Sequence, residues 1–162
     1  MALDVGDVAP DFTLTNQEEA PISLASFQGQ WVVLYFYPRD STPGCTKEAC
    51  AFRDLYADYQ SQNIVVLGIS PDTAKSHQKF IEKQTLPFTL LCDPDAEVAR
   101  AYDSYGPKKF MGKEYEGVYR QTFVIDPQGK LAQIYRKVKP AEHASQVLQD
   151  LEGLQDHLKA SE

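Results

Sequence analysis

Two cysteines five positions apart, Cys45 and Cys50, are the side chains best suited to chemistry in this 162-residue chain. They lie in Tyr37-Pro-Arg-Asp-Ser-Thr-Pro-Gly-Cys-Thr-Lys-Glu-Ala-Cys50, which follows an apolar run and leads into a stretch with helical spacing. Cys45 therefore falls at or near the first turn of a helix. The backbone N–H groups of a first turn have no partner inside the helix and stabilise an anion. A thiol held there is favoured as the thiolate, which is the reactive form. Gly44 allows a small substrate to approach the backbone. Pro38 and Pro43 stiffen the loop, and the Thr42 hydroxyl can both accept and donate a hydrogen bond. Most cysteines are buried and inert. The company of two prolines, a glycine and two hydroxyl residues favours the reactive reading of Cys45.

Cys50 permits two readings, a partner thiol or a core residue of the helix. In an intact helix the two positions differ by about 140° around the axis and roughly 7.5 Å along it. That separation exceeds the roughly 4.4–6.8 Å between α-carbons that a disulfide tolerates. The two can bond only if the first turns of the helix unwind. A metal pair is disfavoured, because Cys-x₄-Cys has no second close pair and His77, His143 and His157 are scattered. Cys92 ends an apolar run before Asp93-Pro94 and reads as a small buried hydrophobe.

These residues need a frame. Trp31–Tyr37 is an unbroken aromatic and β-branched run, which reads as a strand buried on both faces. Helical spacing follows over Thr46–Gln60, with Ala49, Phe52, Tyr56 and Tyr59 on one face. Ile64–Ile69 reads as a second buried strand. Thr73–Lys83 reads as a helix capped by Asp72 or Thr73. Phe88–Leu91 is a short strand and Asp95–Tyr102 a short helix. Thr122–Ile125 and Leu131–Tyr135 flank the turn Asp126-Pro-Gln-Gly129 as a hairpin. Pro140–Leu158 closes the chain as an amphipathic helix with Val147, Leu148, Leu151, Leu154 and Leu158 on one face. Gly106–Tyr119, with Lys108, Lys109, Lys113, Phe110 and Met111, reads as a solvated loop; a docking edge for a reductant or a rim for larger substrates is the second reading. Strands alternating with helices give an α/β fold with a central mixed β-sheet flanked by helices. The pattern suits a thioredoxin-like fold, although periodicity alone does not separate it from a flavodoxin-like one.

Residues 1–162 read as one domain, since no linker or repeat divides them. The apolar fraction of 43% supports a core without disulfide staples. Acidic residues outnumber basic ones by 23 to 16, for a net charge of −7. That balance disfavours nucleic acid and anionic membrane as partners. No secretory signal is visible at the N-terminus, so the cytoplasm is the default compartment, and a mature organellar form would read the same.

Four motifs in order make a resemblance specific. Pro38-x-x-x-Thr42-x-x-Cys45 resembles the active-site pattern of the peroxiredoxins. The Cys45/Cys50 spacing is similar to their bacterioferritin-comigratory-protein, or peroxiredoxin Q, subgroup. Gly6-Asp-x-Ala-Pro-Asp-Phe12-x-Leu14 resembles the family's opening, and Arg120-x-Thr-Phe-x-Ile-Asp-x-x-Gly-Lys130 its late arginine, strand and turn. The resemblance implies a thioredoxin-like fold and thiol-dependent reduction of hydrogen peroxide and alkyl hydroperoxides, with no metal, haem or flavin. It assigns Cys45 as the nucleophile that becomes a sulfenic acid, and Cys50 as the resolving thiol that forms an intrachain disulfide. Arg120 would stabilise the thiolate and the leaving oxygen. Thr42 would orient thiolate and peroxide, the N–H groups of Gly44 and Cys45 would bind peroxide oxygens, and Pro38 would shield the pocket. Glu48 is either the partner that holds Arg120 or an ordinary first-turn acid. Thioredoxin or a similar dithiol protein would be the reductant, and resolution within one chain makes a monomer sufficient. Two alternatives use the same residues: a thiol-disulfide oxidoreductase, which usually carries Cys-x-x-Cys, and a peroxide-sensing relay.

Overall fold

The structure, a computed structural model, describes residues 3–160. Its central strand, β3 (Trp31–Phe36), is buried at every position. The reason is in the sequence. Trp31, Val33, Tyr35 and Tyr37 point to one face of the sheet, and Val32, Leu34 and Phe36 to the other. Each set enters a separate apolar cluster, so both faces must be covered.

Seven strands form one mixed sheet in the order β2-β1-β5-β4-β3-β8-β9. β3, β4 (Ile64–Ser70) and β5 (Thr89–Cys92) run parallel. β8 (Gln121–Ile125) and β9 (Leu131–Tyr135) continue the sheet antiparallel on one side. β1 (Thr13–Asn16) and β2 (Pro21–Ser23) do so on the other. One face carries α1 (Pro43–Asp54), α2 (Tyr56–Ser61), α3 (Ala74–Gln84) and α5 (His143–Ala160). The other carries α4 (Glu97–Ala101), the 3-10 turn Leu24–Phe27 and the N-terminal segment. This is the expected α/β arrangement of a thioredoxin-like fold. Among the described residues, no helix is long and apolar enough to cross a membrane.

The predicted turn at Asp126–Gly129 is present. Asp126 Oδ1 accepts from the N–H groups of Gln128 and Lys130, and Gly129 takes φ +84°. Thr73, rather than Asp72, caps α3 by accepting from Ser76 N. Val147, Leu148 and Leu151 of α5 pack into the core with Leu154 beside them; Leu158 lies outside the described side chains.

Two expectations are corrected, the helix over 46–60 and the loop over 106–119, and the N-terminal segment, left unassigned by the sequence, gains structure. The single helix over 46–60 is two, α1 and α2, broken at Leu55, where φ −105° and ψ 6° leave the helical region. The N-terminal segment contains the hairpin β1–β2, whose turn is built by Asn16 Oδ1 accepting from Glu18 N and Ala20 N. The solvated loop over 106–119 is largely a second hairpin, β6 (Tyr105–Phe110) and β7 (Lys113–Val118). Its two-residue turn, Met111-Gly112, has positive φ at both positions. That geometry matches the twist of a hairpin. Methionine is a poor signal for it, which hides the turn from composition.

Candidate active site

The site forms where β3 ends. Pro38 to Thr42 leave the sheet, and α1 starts at Pro43. Thr42 is the extended N-cap, at φ −82° and ψ 156°. Pro43 at the first helical position has no N–H to lose and its fixed φ suits a helix start. The next two N–H groups belong to Gly44 and Cys45, and the first intrahelical bond runs from Thr46 N to Thr42 O. Cys45 thus sits in the first turn of α1, as expected, and is 1% exposed.

Arg120 precedes β8, the antiparallel neighbour of β3. The pairing carries its guanidinium to the start of α1. Nη2 donates to Cys45 Sγ at 3.3 Å, and Nη1 donates to Glu48 Oε1 at 2.9 Å. One planar fork therefore holds two groups of one helix. Cys45 and Glu48 lie three residues apart, which places them on the same face of α1. The contact with Gly44 is close: a Cβ there would stand 3.0 Å from Arg120 Nη2. A larger residue would displace the guanidinium.

Glu48 is fully buried, so its ion pair with Arg120 is real and its role as a solvated first-turn acid is excluded. Burial pushes its carboxyl up to about 7, and the Arg120 charge and hydrogen bond oppose that rise. His143, at the start of α5, shows the converse. Its Nε2 lies 2.7 Å from Thr122 Oγ1, and burial first, then the Arg120 charge, push the ring down to about 4, against the pull of Asp150. The signs oppose. An unfolded histidine takes up its proton near 6.5. His143 therefore contributes stability that is complete above that pH and is lost as pH falls toward 4. The folded chain protonates Glu48 below about 7, the unfolded chain only near 4.5, so acidification over that interval favours the fold. Glu48→Gln should lose roughly 5 °C more in melting temperature than wild type between pH 7 and pH 5, and His143→Gln correspondingly less than wild type. Melting curves at the two pH values check this; identical losses in all three proteins would refute it.

Cys50 lies in the middle of α1, half-buried, with its thiol donating to Gln84 Oε1 of α3 at 3.4 Å. Both it and Cys45 are free thiols. Cys92 is buried and points at Asn16 O, 3.9 Å away, as a packed core thiol would. The Thr42 hydroxyl donates to Arg39 O at 2.9 Å, which leaves its lone pairs available.

A cleft of about 980 Å³ opens over this corner. Pro38, Thr42, Gly44 and Arg120 line it, as do Arg39, Arg100 and Lys108. The β6–β7 hairpin forms its far wall through Phe110 and Tyr115. Burial, with a smaller push from Arg120, lowers the Lys108 amine below the ordinary lysine range. Of the lining cations, Arg39 and Arg100 were given no role by the sequence reading, whereas Lys108 belongs to the segment whose second reading was a rim for larger substrates. Only the lysines of segment 106–119 had drawn notice, and the crossing that brings them here has no local signature.

Deeper, beneath the loop, lies a polar cluster that no motif announced. Asp40, Asp72 and His77 each offer a ligand atom within 4.8 Å of one another. These atoms already bind one another and their neighbours: His77 Nδ1 lies 2.7 Å from Asp40 Oδ2, while Ser70 Oγ and Asp40 N donate to Asp72 Oδ2. The cluster is a closed hydrogen-bond set and not an open metal site.

Comparison with known proteins agrees with this geometry. Residues 5–134 match the family model described as AhpC/TSA family. Peroxiredoxin Bcp of Bacillus subtilis is 43% identical over 96% of this chain and 99% of its own length. Among solved structures, a peroxiredoxin Q of Xylella fastidiosa superposes with TM-score 0.90 at 33% identity, covering 96% of this chain and 99% of that one. The bacterioferritin comigratory protein of Xanthomonas campestris gives 0.86 at 38% identity, covering 93% and 98%. A cysteine at a helix start, bonded to an arginine from the neighbouring strand, thus sits on a scaffold shared along nearly its whole length with these proteins, and the chain belongs to the AhpC/TSA family, among the Bcp and peroxiredoxin Q peroxiredoxins.

Proposed function

We propose that the chain reduces hydrogen peroxide and alkyl hydroperoxides at Cys45, forms a Cys45–Cys50 disulfide within one chain, and is recycled by thioredoxin or a similar dithiol protein. The observation that carries this reading is the Arg120 guanidinium bonded to Cys45 Sγ at the start of α1. The positive guanidinium contacts the sulfur, and the two leading N–H groups of α1 stand at the same helix start. They also surround the place where an attacked peroxide must lie. The Cys45 thiolate attacks one peroxide oxygen. The O–O bond breaks, Cys45 becomes a sulfenic acid, and the other oxygen leaves as hydroxide or alkoxide and takes up a proton. Arg120 and the N–H groups of Gly44 and Cys45 stabilise the charge that develops on the leaving oxygen. Thr42 orients the peroxide, Pro38 screens the cleft side, and Glu48 keeps the guanidinium plane fixed.

Resolution is a displacement at sulfur. The Cys50 thiolate attacks Cys45 Sγ and the S–O bond breaks. The oxygen leaves as hydroxide and takes up the proton that the Cys50 thiol gave up, and a disulfide and water result. In the reduced protein Cys45 and Cys50 share one continuous helix, with their sulfurs engaged by Arg120 and Gln84. The bond therefore requires the first turns of α1 to unwind and the thiol of Cys50 to leave Gln84. A dithiol reductant then exchanges with the exposed disulfide. Because one chain supplies both sulfurs, a monomer suffices, and a dithiol-dependent cycle suits a reducing compartment such as the cytoplasm.

One equivalent of hydrogen peroxide should remove two thiols per chain, and thioredoxin with its reductase should sustain turnover. Hydrogen exchange at residues 45–50 should then accelerate about tenfold or more in the oxidised protein. Two thiols lost while α1 stays fully protected would refute the unwinding step. No thiol lost would refute the peroxidase reading.

A further inference from the structure

We infer that the buried pair Asp40–His77 is a clamp that positions the reacting loop, holding Ser41 in a strained turn so that Thr42 and the first N–H groups of α1 face Arg120 and Cys45. The inference rests on the peroxidase reading above. Neither residue faces the cleft or takes part in the chemistry.

Four elements converge on the pair. His77, of α3, is fully buried, and its Nε2 lies 3.0 Å from Leu91 O of β5. A carbonyl only accepts, so Nε2 carries a proton. Its Nδ1 lies 2.7 Å from Asp40 Oδ2, also an acceptor. Both ring nitrogens are thus engaged, which locks the ring between β5 and the Asp40 side chain. Ser76 Oγ donates to the same carboxylate oxygen at 2.9 Å, and the Tyr37 hydroxyl donates to the other. The Asp40 backbone N–H is held by Asp72, which in turn is held by Ser70 at the end of β4. Side chain and backbone of Asp40 are thus both fixed.

The next residue shows what the fixation is for. Ser41 adopts φ +63°, a left-handed conformation unfavourable for a residue with a side chain. Such a conformation persists only where its surroundings enforce it. On one side stands the immobile Asp40; on the other, Thr42 begins α1. If Asp40 is released, Ser41 relaxes, and the N-cap and the Gly44 and Cys45 N–H groups shift relative to Arg120. A displacement of about 1 Å at reacting groups can cost up to about a hundredfold in rate.

The test uses single-turnover oxidation of Cys45 by hydrogen peroxide in a Cys50→Ser parent, with alkylation by iodoacetamide as a second readout. Alkylation needs a thiolate but no aligned peroxide cradle. Asp40→Asn and His77→Gln should each slow oxidation about tenfold while changing alkylation by less than about twofold. Ser41→Gly alone should stay within about twofold of the parent, because glycine adopts positive φ freely. Added to Asp40→Asn it should restore most of the lost rate, since the turn then no longer depends on the clamp. Unchanged oxidation in both clamp variants, equal losses in oxidation and alkylation, or a defect that Ser41→Gly leaves untouched would each overturn the clamp. A parent that forms no sulfenic acid would overturn the peroxidase reading instead.

Discussion

Cys45→Ser is expected to abolish peroxide consumption, and Cys50→Ser to consume one equivalent rapidly and then stop when thioredoxin is the only reductant. The difference follows from where the sulfurs sit. Of the two cysteines, Cys45 contacts Arg120 and stands at the helix start. A serine hydroxyl there stays protonated and has no comparable nucleophilicity toward oxygen. Cys50 touches Gln84, on the side of α1 away from the guanidinium, and takes no part in the proposed first step. Its loss leaves the sulfenic acid without its proposed resolving thiol, and a dimedone-type probe should trap it quantitatively. A small thiol such as dithiothreitol should restart turnover by resolving that intermediate from solution. Wild-type peroxide consumption by Cys45→Ser would remove the nucleophile assignment. Sustained thioredoxin-driven turnover by Cys50→Ser would remove the resolving role and leave Cys45 intact.

Sequence and structure agree most closely where apolar patterning and local caps act together. The run Trp31–Tyr37 can only be a strand, because each of its faces enters a separate apolar cluster. The start of α1 is equally legible, since an extended threonine followed by proline and glycine fixes the first turn from local chemistry. Arg120 is different. Nothing within five residues of it predicts a contact with Cys45; the strand pairing of β3 with β8 makes that contact, and only the motif resemblance pointed to it. Asp40 and His77 were not recoverable, because they stand 37 residues apart and meet only through the parallel packing of β3, β4 and α3. The β6–β7 hairpin was hidden by Pro107, Gly106 and the lysines, which lower strand propensity, and by a methionine where asparagine would mark the turn. The break at Leu55 likewise lacks a proline or glycine to signal it.

Arg120→Met is expected to slow Cys45 oxidation by about 10²–10³-fold, the range found when one preorganised donor to a developing oxyanion is removed. Arg120→Lys should fall between this variant and wild type. An ammonium retains the charge but not the fork, so it cannot serve Cys45 Sγ and Glu48 Oε1 at once. Stability should move too, for a separate reason. Without its cation, fully buried Glu48 must either keep an unpaired charge or take up a proton, and either choice penalises the fold at neutral pH. Adding Glu48→Gln to Arg120→Met removes that buried charge. The double variant should therefore regain melting temperature without regaining rate. This split separates the two functions of the guanidinium. If the double variant recovered both, Arg120 would act on the reaction only by holding the helix in place. If Arg120→Met oxidised Cys45 within about threefold of wild type, the developing charge would have to be stabilised by the helix N–H groups alone. Stopped-flow oxidation and melting curves on the same four proteins decide between these cases, because Arg120 hydrogen-bonds both the sulfur of Cys45 and the buried acid.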